Sequence, residues 1–129
     1  MKTISLEELL VFHRKIIEKT GGSKGIRDLN LIESALNRAF VTFESKDLYK
    51  DIIDKIAAIT YGLINNHGFV DGNKRIGIAV MLFLLKLNEL KIRYSQKELI
   101  KLGLGIADGL ITEENLRNWI RHHEIRQVK

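Results

Sequence analysis

The sequence predicts an all-α protein, a compact bundle of about six helices around a buried central helix. Apolar residues recur at helical spacing along most of the chain, whereas the alternation typical of strands is almost absent. The chain contains no proline, so its helices can run without the breaks that proline imposes. One run, from Ile76 to Leu85, is apolar on every face, which indicates a helix enclosed by the others.

The composition is that of one ordinary globular domain, which we place over residues 1–129. A hydrophobic content of 45% is enough to build a core. The absence of cysteine excludes disulfides and thiolate metal sites. The first residues lack the apolar run of a secretory signal, and no run approaches the roughly 20 apolar residues that cross a bilayer. We therefore expect a cytoplasmic protein with no membrane partner.

The charge balance is moderately basic. Lysine and arginine outnumber the acidic residues 21 to 16, and the sequence pI is about 9.5. This balance permits an anionic partner, but most basic residues alternate with acidic ones on predicted helix faces, as on an ordinary solvated surface. We therefore expect no nucleic-acid partner.

The first predicted helix begins at Ser5, because Ser5 and Glu8 have the spacing of a capping box. It ends at Gly21-Gly22. His13 lies on or near its apolar stripe, and no second potential ligand follows at helical spacing, so we interpret His13 as a core histidine with a satisfied hydrogen bond. The stripe itself consists of Leu6, Leu9, Leu10, Ile16 and Ile17.

The glycine-rich segment over residues 21–28 has two interpretations. It is either a connector that ends in Asp28 or Asn30, the cap of a second helix, or a flap that holds a partner. The residues alone favour the connector. The second helix covers residues 31–40, and residues 41–46 look irregular, with a weak extended signal at 42–44.

The third predicted helix starts at Asp47, runs into Asn65, and delivers His67 at its C-terminal end. A short loop then leads to the central helix, which begins near Gly72 or Asn73. Phe69 is most simply a core residue that fixes this loop.

Two further helices complete the bundle. Ser95 and Glu98 repeat the capping-box spacing and begin the fifth helix. Thr112 caps the last helix, which carries Trp119 as a core or groove-wall residue. Its end, at His122-His123, is interpreted as solvated.

The junction between the loop and the central helix carries an unusual charge pattern. Lys74 and Arg75 occupy the first turn, where unpaired N–H groups and the positive end of the helix dipole favour acidic residues instead. Such a conflict indicates a functional site, and a phosphate anion would compensate the charge. Upstream, His67 is a candidate proton acceptor and Asp71 a candidate ligand for a hard metal ion. These groups together predict a nucleotide-dependent group transferase.

A purely structural interpretation of the same residues stays open. Asp71-Gly72-Asn73 is then only a turn with a helix cap, and the side chains of Lys74 and Arg75 extend into solvent.

The nine residues from His67 to Arg75 resemble the signature of the Fic/Doc superfamily, H-x-F-x-[D/E]-G-N-[G/K]-R. They read H-G-F-V-D-G-N-K-R, so every fixed position is matched. Lys74 and the segment Gly25–Asp28, followed by Leu31–Leu36, resemble the Doc (death-on-curing) toxin branch. The resemblance implies the Fic fold and covers roughly the first two thirds of the chain.

The resemblance also implies a role for each residue of the signature. His67 would be the general base on a Ser or Thr hydroxyl of a protein target, and Asp71 would hold Mg²⁺ against the phosphates of ATP. The backbone of Gly72 and Asn73 and the Asn73 side chain would line the anion-binding site. Lys74 and Arg75 would neutralise charge on the phosphates.

Departures from the signature bear on the reaction. Fic adenylyltransferases carry a second arginine where this chain has Ile78, and Doc-like proteins lack it too. The resemblance therefore implies the Doc reaction, transfer of the ATP γ-phosphate, with a translation elongation factor as target and growth arrest as outcome. The chain contains no inhibitory motif of the family, which implies restraint by a separate small antitoxin. AMP transfer on the same fold and a non-catalytic binding module stay open as alternatives.

Overall fold

The computed structural model describes residues 1–125, and it confirms the all-α prediction. Within that range the chain forms six α-helices: α1 Leu6–Thr20, α2 Leu29–Asn37, α3 Ile52–Asn65, α4 Asn73–Leu87, α5 Gln96–Ala107 and α6 Glu113–His123. A single 3₁₀ turn, Arg38–Phe40, follows α2. Strands β1 (Thr42–Phe43) and β2 (Lys46–Asp47) form a small antiparallel hairpin. None of the helices in the described range is long and apolar enough to cross a membrane.

Local side chains set the starts of α1, α2, α5 and α6, as predicted. Ser5 and Ser95 each form a complete capping box with a glutamate three residues on, and Thr112 forms one with Asn115. Asp28 caps α2 by accepting a hydrogen bond from the Asn30 N–H.

The predicted start of α3 at Asp47 was wrong, because α3 begins at Ile52. The Asp51 carboxylate accepts a hydrogen bond from the Ile53 N–H, so Asp51 is the cap. Asp47 lies in β2 instead, where its carboxylate pairs with the Lys55 ammonium at 3.4 Å.

Helix α4 packs along α3 and is flanked by α1 and α5. The most enclosed helix of the described range is α3, which also contacts α2, α5 and α6 and carries more buried residues than α4. Helices α3 and α4 approach closely at Gly77, where a Cβ atom would come within 2.5 Å of the Ile64 side chain. Burial is concentrated on one face of α4, which carries Ile76, Gly77, Val80, Met81, Leu84 and Leu85. The opposite face, with Ile78, Ala79, Leu82 and Phe83, is only half-buried, so this helix is less enclosed than its all-round apolar sequence predicts.

The C-terminal end of α6 also differs from its prediction. His122 is exposed, but His123 is half-buried and stacks on Trp119 with ring centroids 3.8 Å apart. The His123 Nδ1–H donates to the Trp119 carbonyl, and Nε2 lies 2.5 Å from a Glu98 carboxylate oxygen. This bond holds the pKa of Glu98 below its ordinary value. The interpretation of His123 as solvated was therefore wrong, because α5 supplies a partner that is distant in sequence.

Truncation of the α4 core should destabilise the fold strongly. Leu84 is 0% exposed, so Leu84→Ala removes buried contacts and leaves a cavity, at a cost of about 2–5 kcal/mol in the free energy of unfolding. The matched control is Leu110→Ala, since Leu110 is 79% exposed. Urea denaturation followed by circular dichroism measures both, and equal effects of the two substitutions would contradict the assignment of α4 to the core.

Candidate active site

The loop between α3 and α4 places His67 at the end of α3, as the sequence predicts. Asn66 caps α3, and His67 follows with φ +52°, a left-handed conformation that non-glycine residues rarely adopt. The residue is exposed, and its imidazole makes no hydrogen bond to any residue in the described range 1–125. Its ring nitrogens are therefore available to a substrate.

Phe69 and Asn73 hold this loop against the start of α4. Phe69 is 2% exposed, which confirms it as a core residue. Its backbone N–H donates to the Asn73 side-chain oxygen at 3.1 Å, and the Asn73 amide nitrogen donates to the Phe69 carbonyl at 3.0 Å. The Asn73 side chain is thus occupied by these bonds to the loop. Only the backbone N–H of Asn73 is available to an anion.

Gly72 shapes the N-terminus of α4. Its φ is +78°, a left-handed conformation that favours glycine, and a Cβ atom here would also crowd the end of the Ile17 side chain, at 2.9 Å. The Gly72 N–H is occupied by the Asp71 carboxylate at 2.8 Å. The next three N–H groups, on Asn73, Lys74 and Arg75, have no hydrogen-bond partner within residues 1–125. Together with the helix dipole they have the chemistry of an anion-binding site.

The two cations at this helix start are held differently. Lys74 is exposed and makes no ion pair with the part of the chain that the structure describes. Arg75 is half-buried, and its guanidinium donates to the Thr20 hydroxyl and to the Gly21 carbonyl at the end of α1. It also pairs with an Asp71 carboxylate oxygen at 3.3 Å. Arg75 therefore joins α1 to the site, while the Lys74 ammonium has no ion-pair partner among residues 1–125.

Asp71 is held as a carboxylate. Its oxygens accept hydrogen bonds from the Ser23 N–H at 3.3 Å and the Gly72 N–H at 2.8 Å. These bonds, and to a lesser degree Arg75, lower the pKa of Asp71 below its ordinary value of 3.8. The side chain is 46% exposed, so an ionised oxygen ligand of the kind that Mg²⁺ prefers faces solvent. The described residues contain no group of three His, Asp or Glu side chains that could hold a metal ion.

His13 contacts the loop of the site from the protein interior. It is 1% exposed, its Nε2–H donates to the Asp71 carbonyl at 2.7 Å, and its ring stacks on Phe69 at 3.7 Å. The prediction of a satisfied core histidine is confirmed. No local pattern indicated that the hydrogen-bond partner of His13 belongs to the site, because His13 and Asp71 are far apart in the chain.

The segment over residues 21–28 forms a wall of the site, so its interpretation as a plain connector was incomplete. Ile26 pairs with Phe69 in an antiparallel bridge, and the Val70 N–H donates to the Gly25 carbonyl at 2.9 Å. A Cβ atom on Gly22 would come within 2.3 Å of the Asp71 carboxylate. The clustered glycines were the available signal, since they let backbone approach backbone.

A pH titration tests how Asp71 is held. Because the folded pKa is lowered, Asp71 stabilises the fold above its ordinary pKa, and that stabilisation is lost as the pH falls through the folded pKa. We expect ¹³C NMR of the Asp71 carboxyl to show a pKa below 3.8, and still below it in Arg75→Gln, because the backbone bonds are the larger cause. A pKa at or above the ordinary value in the wild type would contradict these contacts.

The sequence is similar to those of known proteins. A family model described as Fic/DOC family matches residues 3–85, about two thirds of the chain. The Toxin Doc of Mycolicibacterium smegmatis is 36% identical over 72 residues, which cover 56% of this chain and 55% of that protein. The chain thus matches only about half the length of that relative. The Protein kinase doc of Escherichia phage P1 is 27% identical over 121 residues, 94% of each chain.

Proposed function

The chain belongs to the Fic/DOC family, and from this premise we infer that it is a Doc-like toxin that phosphorylates a protein target. The observation that carries the proposal is the juxtaposition at the start of α4. The imidazole of the exposed His67 makes no hydrogen bond within residues 1–125, and it precedes a helix terminus whose first N–H groups and whose Lys74 ammonium have no partner in that range. The names of the two relatives, a toxin and a protein kinase, support this proposal.

In the proposed reaction the protein positions the reactants and neutralises charge. The N–H groups of residues 73–75 and the Lys74 ammonium would bind the ATP phosphates. The target hydroxyl oxygen attacks the γ-phosphorus, His67 accepts the hydroxyl proton, and the bond to the β–γ bridging oxygen breaks to release ADP. The ionised Asp71 fits a ligand of Mg²⁺, which would supply charge neutralisation when bound.

The surroundings of Ile78 support phosphate transfer over AMP transfer. Ile78 occupies the position where the adenylyltransferases of the superfamily carry a second arginine. It is half-buried in an apolar groove between α4 and α5, beside Gly103 and Leu99. The second guanidinium of the adenylyltransferases is therefore missing from this position, which favours transfer of the γ-phosphate.

The target and the regulator follow from the family and are part of the proposal. We propose a translation elongation factor as the target, so that expression arrests growth, and a small antitoxin protein as the regulator. A strain that makes the chain alone should stop growing, and coexpression of a small antitoxin encoded beside it should restore growth.

Labelled ATP separates the candidate reactions. The purified chain is incubated with Mg²⁺ and a cell lysate, in parallel with α- and γ-labelled ATP. We expect label on a lysate protein only from the γ position, and none with His67→Ala. Label from the α position would instead establish AMP transfer, and no label from either would favour a binding module.

A further inference from the structure

Arg27 contacts the backbone that carries His67. Its guanidinium Nε donates to the His67 carbonyl at 2.6 Å, and Nη2 donates to the Asn66 carbonyl at 3.3 Å. These carbonyls follow the last turn of α3, where helical partners are missing and the helix dipole is negative. A cation with several donors is therefore well matched to this place, although Arg27 lies 40 positions away from His67 in the sequence.

The contact acts on a residue in an uncommon conformation. His67 has φ +52°, a left-handed conformation that needs support from its neighbours. Part of that support comes from the next residue, since the Gly68 carbonyl accepts the N–H groups of both Arg27 and Asp28 at 2.8 and 2.9 Å. The guanidinium adds the only side-chain hydrogen bond made to the His67 backbone within the described residues.

We propose that Arg27 is a positioning residue that fixes the His67 imidazole for proton transfer. This inference rests on the proposed function, because it assumes that His67 is the base. Arginine suits the role better than lysine, since its planar fork spans two carbonyls at once, whereas an ammonium is a single point charge. Arg27 then affects the reaction through His67 alone, without touching ATP.

A simple structural cap would behave differently from a positioning residue. A cap stabilises α3, and its loss would weaken every function of the site, including ATP binding. A positioning residue lowers the rate of the chemical step and matters only while His67 is present. A double-mutant cycle separates these roles, because residues that act as one unit are strongly non-additive.

The experiment measures γ-phosphate transfer in four proteins: the wild type, Arg27→Ala, His67→Ala and the double variant. We expect Arg27→Ala to lower kcat about tenfold with an unchanged KM for ATP, Arg27→Lys to recover part of the loss, and the double variant to match His67→Ala. The matched control is Arg14→Ala, because Arg14 is exposed on α1 and makes no hydrogen bond or ion pair within residues 1–125. A double variant that is slower than His67→Ala, or a raised KM for ATP, would overturn the proposal.

A second readout does not depend on activity. Backbone ¹⁵N relaxation should show increased mobility at His67 and Gly68 in Arg27→Ala, with circular dichroism unchanged. Unchanged relaxation at His67 would overturn the positioning role. If the wild type transferred no phosphate, the proposed function would fail and relaxation would still decide the role of Arg27. If His67→Ala lost activity while Arg27→Ala kept it, only this inference would fail.

Discussion

Replacing His67 by alanine is expected to lower the rate of γ-phosphate transfer by about 10²- to 10⁴-fold, the usual contribution of a general base. The reason is that the exposed imidazole has no other hydrogen-bond acceptor or donor among the described residues and so is available to the target hydroxyl. The same feature predicts a small effect on folding. Because the side chain makes no hydrogen bond in the described chain, the free energy of unfolding should change by less than about 0.5–1 kcal/mol.

Transfer of label from γ-labelled ATP to the target measures this rate, and urea denaturation measures the stability. His122→Ala is the matched control, since His122 is an exposed histidine near the end of α6, away from the α4 terminus in sequence. A His67→Ala protein that keeps its rate within about twofold of wild type would refute the general-base role, whose loss should cost far more.

Replacing Asp71 by asparagine should lower the rate by about 10²-fold or more, because metal-ion charge stabilisation contributes several kcal/mol. Asparagine keeps the shape of the side chain but removes the negative charge, which the Ser23 and Gly72 N–H groups hold in place in the wild type. The distinctive expectation is a shift in metal dependence. The Mg²⁺ concentration that gives half-maximal rate should rise.

A Mg²⁺ titration of the transfer rate measures this shift. Asp108→Asn is the control, because Asp108 is an exposed carboxylate at the end of α5. If Asp71→Asn lost activity while its Mg²⁺ dependence stayed that of the wild type, Asp71 would have a structural role only, through its bonds to Arg75 and the segment over residues 21–28.

The parts of the fold that the sequence predicted are those specified by neighbouring residues. The start of α1 depends on Ser5 and Glu8, three positions apart, and those two residues form the cap observed. The start of α3 was misplaced because Asp47 and Asp51 are both acceptable caps, and the structure uses Asp51 as the cap while Asp47 pairs with Thr42 in the hairpin. The hairpin has no strong pattern in the sequence.

In the candidate site, too, the features that depend on neighbouring residues were predictable and those that depend on tertiary contacts were not. The loop from His67 to the start of α4 is contiguous in sequence, so its candidate groups were visible before the fold was known. Its supports were not visible, because His13 and Arg27 reach the loop from 58 and 40 positions away. The two interpretations of Arg75, as a phosphate ligand or as a solvated side chain, both omitted its bonds to the end of α1. Hydrogen bonds over such separations follow from packing and leave no local pattern.

The most direct test of the phosphate site at the start of α4 is a crystal structure of the chain with Mg²⁺ and a non-hydrolysable ATP analogue. We expect phosphate oxygens within hydrogen-bond distance of the N–H groups of Lys74 and Arg75, the metal ion on Asp71, and the γ-phosphate facing the His67 imidazole. A triphosphate bound elsewhere on the bundle, with those N–H groups left to solvent, would refute the proposed phosphate site at the start of α4.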